Sequence, residues 1–313
     1  MTAGVIRNPE CPTRTALALE HVLCCFIEGY NLALASTSDA ALANDLDHAF
    51  DAHHVGFAYE GAGTALALLD LLTLNRSRRL RSFITGAGAQ HDYIIMVGAG
   101  LGAARAHWLN PFWRRYFSGF DPLVSWCVPD GFGFYQGIFH PQLYADTQRL
   151  APAFMSAPEA QLFDSGIGRS LWWSCGADAE RIAEKIAAFP AARRGEMWCG
   201  IGVACAYAGG DDGESLPALL DLAGDYRPDF LSGVPFAARM RQKAHNASCV
   251  TDHCCRFTLG RSVEEAASMA CEQLHDAARI LGERVGREGY AMVRRHLSEL
   301  LTAPTGVQIS RAV

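Results

Sequence analysis

Isolated acids among aromatic and small residues are the first chemistry the sequence offers. Glu60 lies in GFAYEGAG, between Phe57 and Tyr59 on one side and glycines on the other. A carboxyl buried there loses solvation, its pKa rises, and it can serve as a proton donor. Asp130 opens DGFGFYQG, and Glu28 opens EGYN. Arg169 in GIGRSLWW is flanked by apolar residues, which calls for a buried partner or an anionic ligand. His91 in AQHDYIIMVG could act as a base or, with Met96 further on, as a metal or haem ligand. As helix-start carboxylates, Glu28, Glu60 and Asp130 would instead be simple caps favoured by the helix dipole.

Several other groups fit ordinary structure better. Cys249, His253, Cys254 and Cys255 match no standard zinc spacing. Asp211 and Asp212 in GGDDGES read as a turn before a helix N-cap at Ser215. RSRRLR at 76–81 is a solvated basic run or a dock for an acidic partner such as a carrier protein. YIIMVGAGLGAARA at 93–106 satisfies G-x-G-x-x-A, yet no βαβ pattern surrounds it and no acid closes a second strand. No G-x-S-x-G, H-E-x-x-H or Walker motif is present.

The elements that position these residues come from a repeated phrase. Aligned on their first glycine, GYNLALA (Gly29), GAGTALA (Gly61), GAGLGAA (Gly98), GFGFYQG (Gly131), GIGRSLW (Gly166), GIGVACA (Gly200) and GVPFAAR (Gly233) recur about every 34 residues. A further step lands on Ala267 in EAASMAC. Such a period predicts an all-α fold of stacked helical hairpins, solenoid-like, forming a single domain over 1–313. Glycine inside a helix costs about 1 kcal/mol relative to alanine, so its repeated use needs close backbone packing as a reason. Second helices fit at 39–50, after Gly176 as DAERIAEKIAAFP, and after Ser215; a capping box starts another at Ser262. The segments 139–155 and 245–260 carry no clear pattern.

Residues one before, three after and seven after each first glycine share a helix face. That face mixes Glu28, Glu60, Asp130, Arg105 and Arg169 with Phe134, Trp173, Tyr207 and Phe236. Neither a pure core face nor a pure solvent face has this composition. It suits an inner wall closing over a largely apolar ligand. Phe57, Tyr59, Phe134, Trp172, Trp173, Tyr207 and Tyr30 are the candidate substrate-binding aromatics, with Glu60, Asp130, Arg169, His91 and Glu28 as candidate catalytic groups. Glu60 and Asp130 are expected to enter one cavity, with Arg169 reaching the same space.

Composition bounds the rest. The 313 residues are half apolar with a net charge of −6, which excludes disorder and argues against a nucleic-acid partner. No uninterrupted apolar run approaches a membrane span, and no signal peptide is read at the N-terminus. Eleven cysteines in such a chain suggest reduced thiols, no disulfides and a cytoplasmic setting.

The motifs EGYN, GFAYEGA, DGFGF, GIGRSLWW, CAYAGG and DYRP, in this order along nearly the whole chain, resemble an uncharacterised bacterial family found in enediyne polyketide gene clusters. Met96 stands where that family carries a second histidine. The resemblance implies specialised metabolism and no settled reaction. The leading expectation is an enzyme of the cyclase or isomerase type acting on a polyene polyketide or terpenoid, with no cofactor and no metal. A non-catalytic scaffold or carrier-protein partner is the second reading, and a haem or metal oxygenase using His91 or Met96 is the third.

Overall fold

The computed structural model describes residues 4–74 and 78–302. In chain order the helices are α1 (Thr13–Ala35), α2 (Asp39–Ala49), α3 (Val55–Leu72), α4 (Arg79–Thr85), α5 (Asp92–Arg105), α6 (Asn110–Phe117), α7 (Pro122–Ser125) and α8 (Cys127–Phe139). They continue with α9 (Ala157–Ser174), α10 (Ala179–Ala187), α11 (Ala191–Tyr207), α12 (Leu216–Leu222), α13 (Arg227–Lys243), α14 (Cys249–Leu259), α15 (Val263–Leu281) and α16 (Val285–Thr302). The fold is all-α, and no strand occurs among the described residues. The glycine-rich stretch 93–106 is helix α5, not the strand and turn of a dinucleotide site.

The glycines lie where helices meet. α1, α3, α5, α8, α9, α11, α13 and α15 pack side by side in that order. A Cβ on Gly98 would collide with the Glu60 carbonyl oxygen of α3. The same collision would pair Gly131 with Val97, Gly166 with Asp130, Gly200 with Ser165, and Gly233 with Cys199. The second glycine of each phrase abuts the next helix: Gly63 meets Ile95, Gly100 meets Val128, Gly133 meets Phe163, Gly168 meets Met197, and Gly202 meets Phe230. Backbones thus approach on both sides of each helix, and any side chain there would force them apart.

This geometry corrects the register of the first phrase. Gly29 abuts Ala58, the contact made by second glycines, and Gly61 abuts Phe26. The residue equivalent to Gly61 is therefore Ile27, and the equivalent of Glu60 and Asp130 is Phe26. Glu28 falls off the shared face and is exposed.

The segments between long helices vary more. α2, α4, α6, α10, α12 and α14 are short, whereas a π-helical turn at Gln142–Asp146 follows α8. The unpatterned stretches thus hold this turn and α14. Ser262 closes its capping box with Glu265, and Ser156 does the same with Glu159 at α9. Ser215 precedes α12 but does not cap it through its side chain; its hydroxyl turns to Asp211, which organises the turn. The beginning of the basic run, 76–77, lies outside the described residues.

The row curls so that α11 and α13 reach α3 and α5. Arg241 of α13 donates to the Ala52 and His53 carbonyls ahead of α3, at 3.1 and 2.8 Å, and Lys243 pairs with Asp92 of α5. Phe57 of α3 and Tyr207 of α11 stand edge to face, ring centres 5.2 Å apart. α1 and α3 are long and apolar enough, by length and composition, to cross a membrane; most of the apolar stretch in α3 is buried in this fold.

Candidate functional site

Glu60 sits in the second turn of α3, one turn after Phe57, so both side chains leave the helix toward the centre of the curl. They border a cavity of about 90 Å³ whose other walls include Leu101, Phe134, Trp173 and Tyr207. Tyr207 is admitted because Gly56 lacks a Cβ: its hydroxyl rests against that glycine. The wall also takes Val5 from the segment before α1. Of these, Glu60, Leu101, Phe134, Trp173 and Tyr207 lie one before, three after or seven after the first glycines.

Tyr59 is the neighbour of Glu60 in sequence and faces away from it. A one-residue step turns about 100° around a helix. Its ring stacks on His91 at 3.8 Å between centres, and its hydroxyl donates to Asp47 at 3.0 Å. His91 therefore belongs to a separate pocket behind α3, with Gln90 and Asn246, and does not share space with Glu60. Burial holds its pKa down at about 4, with Arg241 adding to the effect, so the ring is neutral at pH 7.

Three more candidates fall outside the cavity. Trp172 is fully buried and donates its indole N–H to the Gly209 carbonyl at 2.9 Å, locking α9 to the end of α11. Tyr30 of α1 is partly buried against the core, and Glu28 is exposed. Trp172 and Glu28 are of the right type but at the wrong angle on their helices, whereas Tyr30 keeps the inner-face register set by Phe26 and still lies outside the cavity wall.

Asp130 and Glu60 face different spaces. Asp130 lines a second cavity, also of about 90 Å³, with Ser165, Cys199 and Arg239. Arg169, Val203 and Met240 border both cavities and form the partition. Arg169 Nε stands 2.9 Å from Asp130 Oδ1, off hydrogen-bond alignment, and Ser165 donates to Asp130 Oδ2 at 3.0 Å. The guanidinium carbon lies 4.7 Å over the Phe134 ring, and Trp173 meets that ring edge-on at 5.2 Å. An arginine suits this place because its flat cation can face a carboxylate and an aromatic surface at once.

The two acids differ in electrostatics. Glu60 is 6% exposed, and its Oε1 is buried with no hydrogen-bond partner. Burial raises its pKa to about 7; Arg169 opposes the rise and Asp130 adds to it. Burial also raises the pKa of Asp130, but Arg169 and the Ser165 hydroxyl act directly against it. Glu60 thus holds a proton near neutrality more readily than an ordinary carboxyl, while Asp130 keeps a counterion.

Several buried polar groups escaped the sequence. Arg294 of α16 bonds Asp229 at 3.0 Å and Glu196 at 3.3 Å and contacts Ser232; Tyr290 also donates to Glu196 at 2.7 Å. Ser232 occupies the inner-face position before Gly233, and Glu196 and Asp229 lie one turn earlier on α11 and α13, the signal that could have flagged them. Arg193 holds Asp164 with two bonds of 2.9 and 2.6 Å. Asp211, Cys249, His253 and Cys254 border one surface pocket, yet among the described residues no three His, Cys, Asp or Glu side chains converge as metal ligands.

Fold and site together define an all-helical protein with a buried carboxyl and a buried ion pair around two apolar cavities. The chain belongs to the family described as Protein of unknown function (DUF1702), which matches residues 8–299. No curated protein and no solved structure matches it.

Proposed function

We propose that the protein is an enzyme that isomerises or cyclises an extended apolar substrate, a polyene polyketide or a terpenoid, by proton transfer without a cofactor. The observation that carries this reading is the Glu60 carboxyl: buried, unpartnered at Oε1, and facing a cavity walled by aromatic and aliphatic side chains. A carboxylic acid kept neutral near pH 7 can protonate a carbon–carbon double bond. The electron pair of the π bond forms the new C–H bond, and the adjoining carbon becomes cationic. Phe57, Phe134, Trp173 and Tyr207 present ring faces or edges around that space, and an aromatic face is worth about 0.5–2 kcal/mol to a cation. The Asp130 carboxylate offsets the charge of Arg169, which would otherwise oppose a cation in that space. Loss of a proton from a neighbouring carbon to a carboxylate closes the cycle with no net change in protons or oxidation state.

The similarity of the motifs to the enediyne-associated family supports a specialised-metabolite substrate and a carrier protein among the partners. The lining supports catalysis over scaffolding: a buried acid without a partner at Oε1 faces a pocket walled by aromatic and aliphatic side chains. Spaces of this size hold a short segment of chain, so a longer substrate requires the walls to part. The test is turnover of conjugated polyenes and terpenoids by the purified protein and by Glu60→Gln and Asp130→Asn. Both variants should fold and bind while losing about 10²–10⁴-fold in rate. Conversion at the parental rate by both would show that these carboxyls serve structure alone.

A further inference from the structure

The second cavity is bordered by a half-buried cation that no carboxylate pairs with among the described residues. Arg239 of α13 borders that cavity, and its Nε is buried without a hydrogen-bond partner. No described carboxylate pairs with it; its guanidinium lies 5.7 Å from the centre of the Tyr93 ring. The acids nearby are engaged elsewhere. Asp92 is held by Lys243 at 2.5 Å, Asp121 accepts the Leu123 amide at the start of α7, and Asp130 faces Arg169. The rest of the wall is apolar, including Leu123, Trp126, Phe236 and Leu274. A partly buried, unpaired guanidinium beside an apolar void is a mismatch that an anionic ligand with an apolar tail would resolve.

The partition points the same way. The side chains common to both cavities are Arg169, Val203 and Met240. Met240 follows Arg239 directly and is an unbranched thioether, the side chain best able to change rotamer and let a narrow chain pass. We propose that the two cavities take one ligand, a conjugated long-chain carboxylate. Its carboxylate pairs with Arg239, and its unsaturated tail runs past Met240 to Glu60. This assignment rests on the proton-transfer reading of Glu60 and adds to it the substrate's charge and its direction of entry. Arg239 is then a specificity-determining residue, remote from the carbon that accepts the proton.

The experiment uses decatetraenoic acid and the corresponding alcohol as probes, with quenching of tryptophan emission as the readout. Trp173 lines the first cavity and Trp126 the second, so intrinsic emission reports occupancy. The acid should bind the parent about 10- to 100-fold more tightly than the alcohol, the range of a charge-assisted hydrogen bond. In Arg239→Gln that preference should vanish while alcohol affinity stays at the parental value, which also shows that the variant is folded. Equal affinity of acid and alcohol for the parent overturns the anchor and leaves the Glu60 reading standing. A preference that survives in Arg239→Gln overturns the assignment to Arg239. Binding of neither probe overturns the apolar-substrate reading itself.

Discussion

Arg169 Nε lies 2.9 Å from Asp130 Oδ1, and both side chains are nearly closed to water, at 7% and 13% exposed. The pair joins α8 to α9 at the partition between the two cavities. Removing the cation alone strands a carboxylate in a low-dielectric site, which typically costs about 3–5 kcal/mol. Arg169→Met should therefore unfold at markedly lower urea concentration than the parent. Replacing both partners, Arg169→Met with Asp130→Leu, should recover most of the loss, because neither charge then needs solvation. Urea midpoints for the three proteins test this; equal midpoints for single and double variants would mean that the pair is not coupled in the folded state.

A second prediction separates packing from helix propensity. Gly98→Ala is favourable for an isolated helix by about 1 kcal/mol. In the protein, the new Cβ would collide with the Glu60 carbonyl oxygen, so α3 and α5 must move apart. Gly98→Ala should cost about 2 kcal/mol or more in net stability. Gly286→Ala in α16 meets only the Pro122 Cβ at 3.3 Å and should be neutral or stabilising by up to about 1 kcal/mol. Thermal unfolding of the two variants should move in different directions; matching losses would remove close approach as the reason for the phrase.

The sequence carried the fold through spacing and lost parts of the site through angle. Glycines every 34 residues or so name the helix contacts because no other residue permits them. A phrase with one glycine is ambiguous in register, and Gly29 fills the second slot, not the first. That two-residue slip put Glu28 in line with Glu60 when Phe26 is the true equivalent. Tyr59 and Trp172 were grouped with Glu60 and Trp173 by adjacency, whereas adjacent residues in a helix face apart. Arg294, Arg193 and Arg241 find partners far along the chain, and no period in the sequence links a cation on one helix to carboxylates or carbonyls two or more elements away. Arg239 was legible only as the neighbour of an inner-face position.

Stability should depend on pH through Glu60. Its folded pKa is raised from 4.5 to about 7, so the folded state binds a proton more tightly than the unfolded chain does. The resulting stabilisation is fully present below about pH 4.5 and is lost as pH rises through about 7, a change of about 3 kcal/mol at most. Glu60→Gln cannot ionise and should lack this component. Urea titrations from pH 5 to pH 8 should show the parent losing stability relative to the variant. A parallel pair of curves would mean that Glu60 ionises as freely in the fold as in the unfolded chain.

The same proton sets the pH dependence of turnover. If neutral Glu60 is the acid, the rate is flat on the acid side and falls about tenfold per pH unit above roughly 7, as its carboxyl ionises. The neighbouring charge fixes the sign of a second effect. Asp130 pushes the Glu60 pKa up, so Asp130→Asn removes a negative charge and should move that pKa to lower pH. Glu60 can be followed directly, through the carboxylic-acid C=O band of parent minus Glu60→Gln infrared difference spectra, without relying on residual activity. In the parent the band should disappear with a midpoint near pH 7; in Asp130→Asn the midpoint should lie lower. A midpoint that rises in Asp130→Asn would show that loss of the charge is outweighed by Arg169 turning elsewhere, and a parental midpoint near 4.5 would leave the protein without its proposed acid.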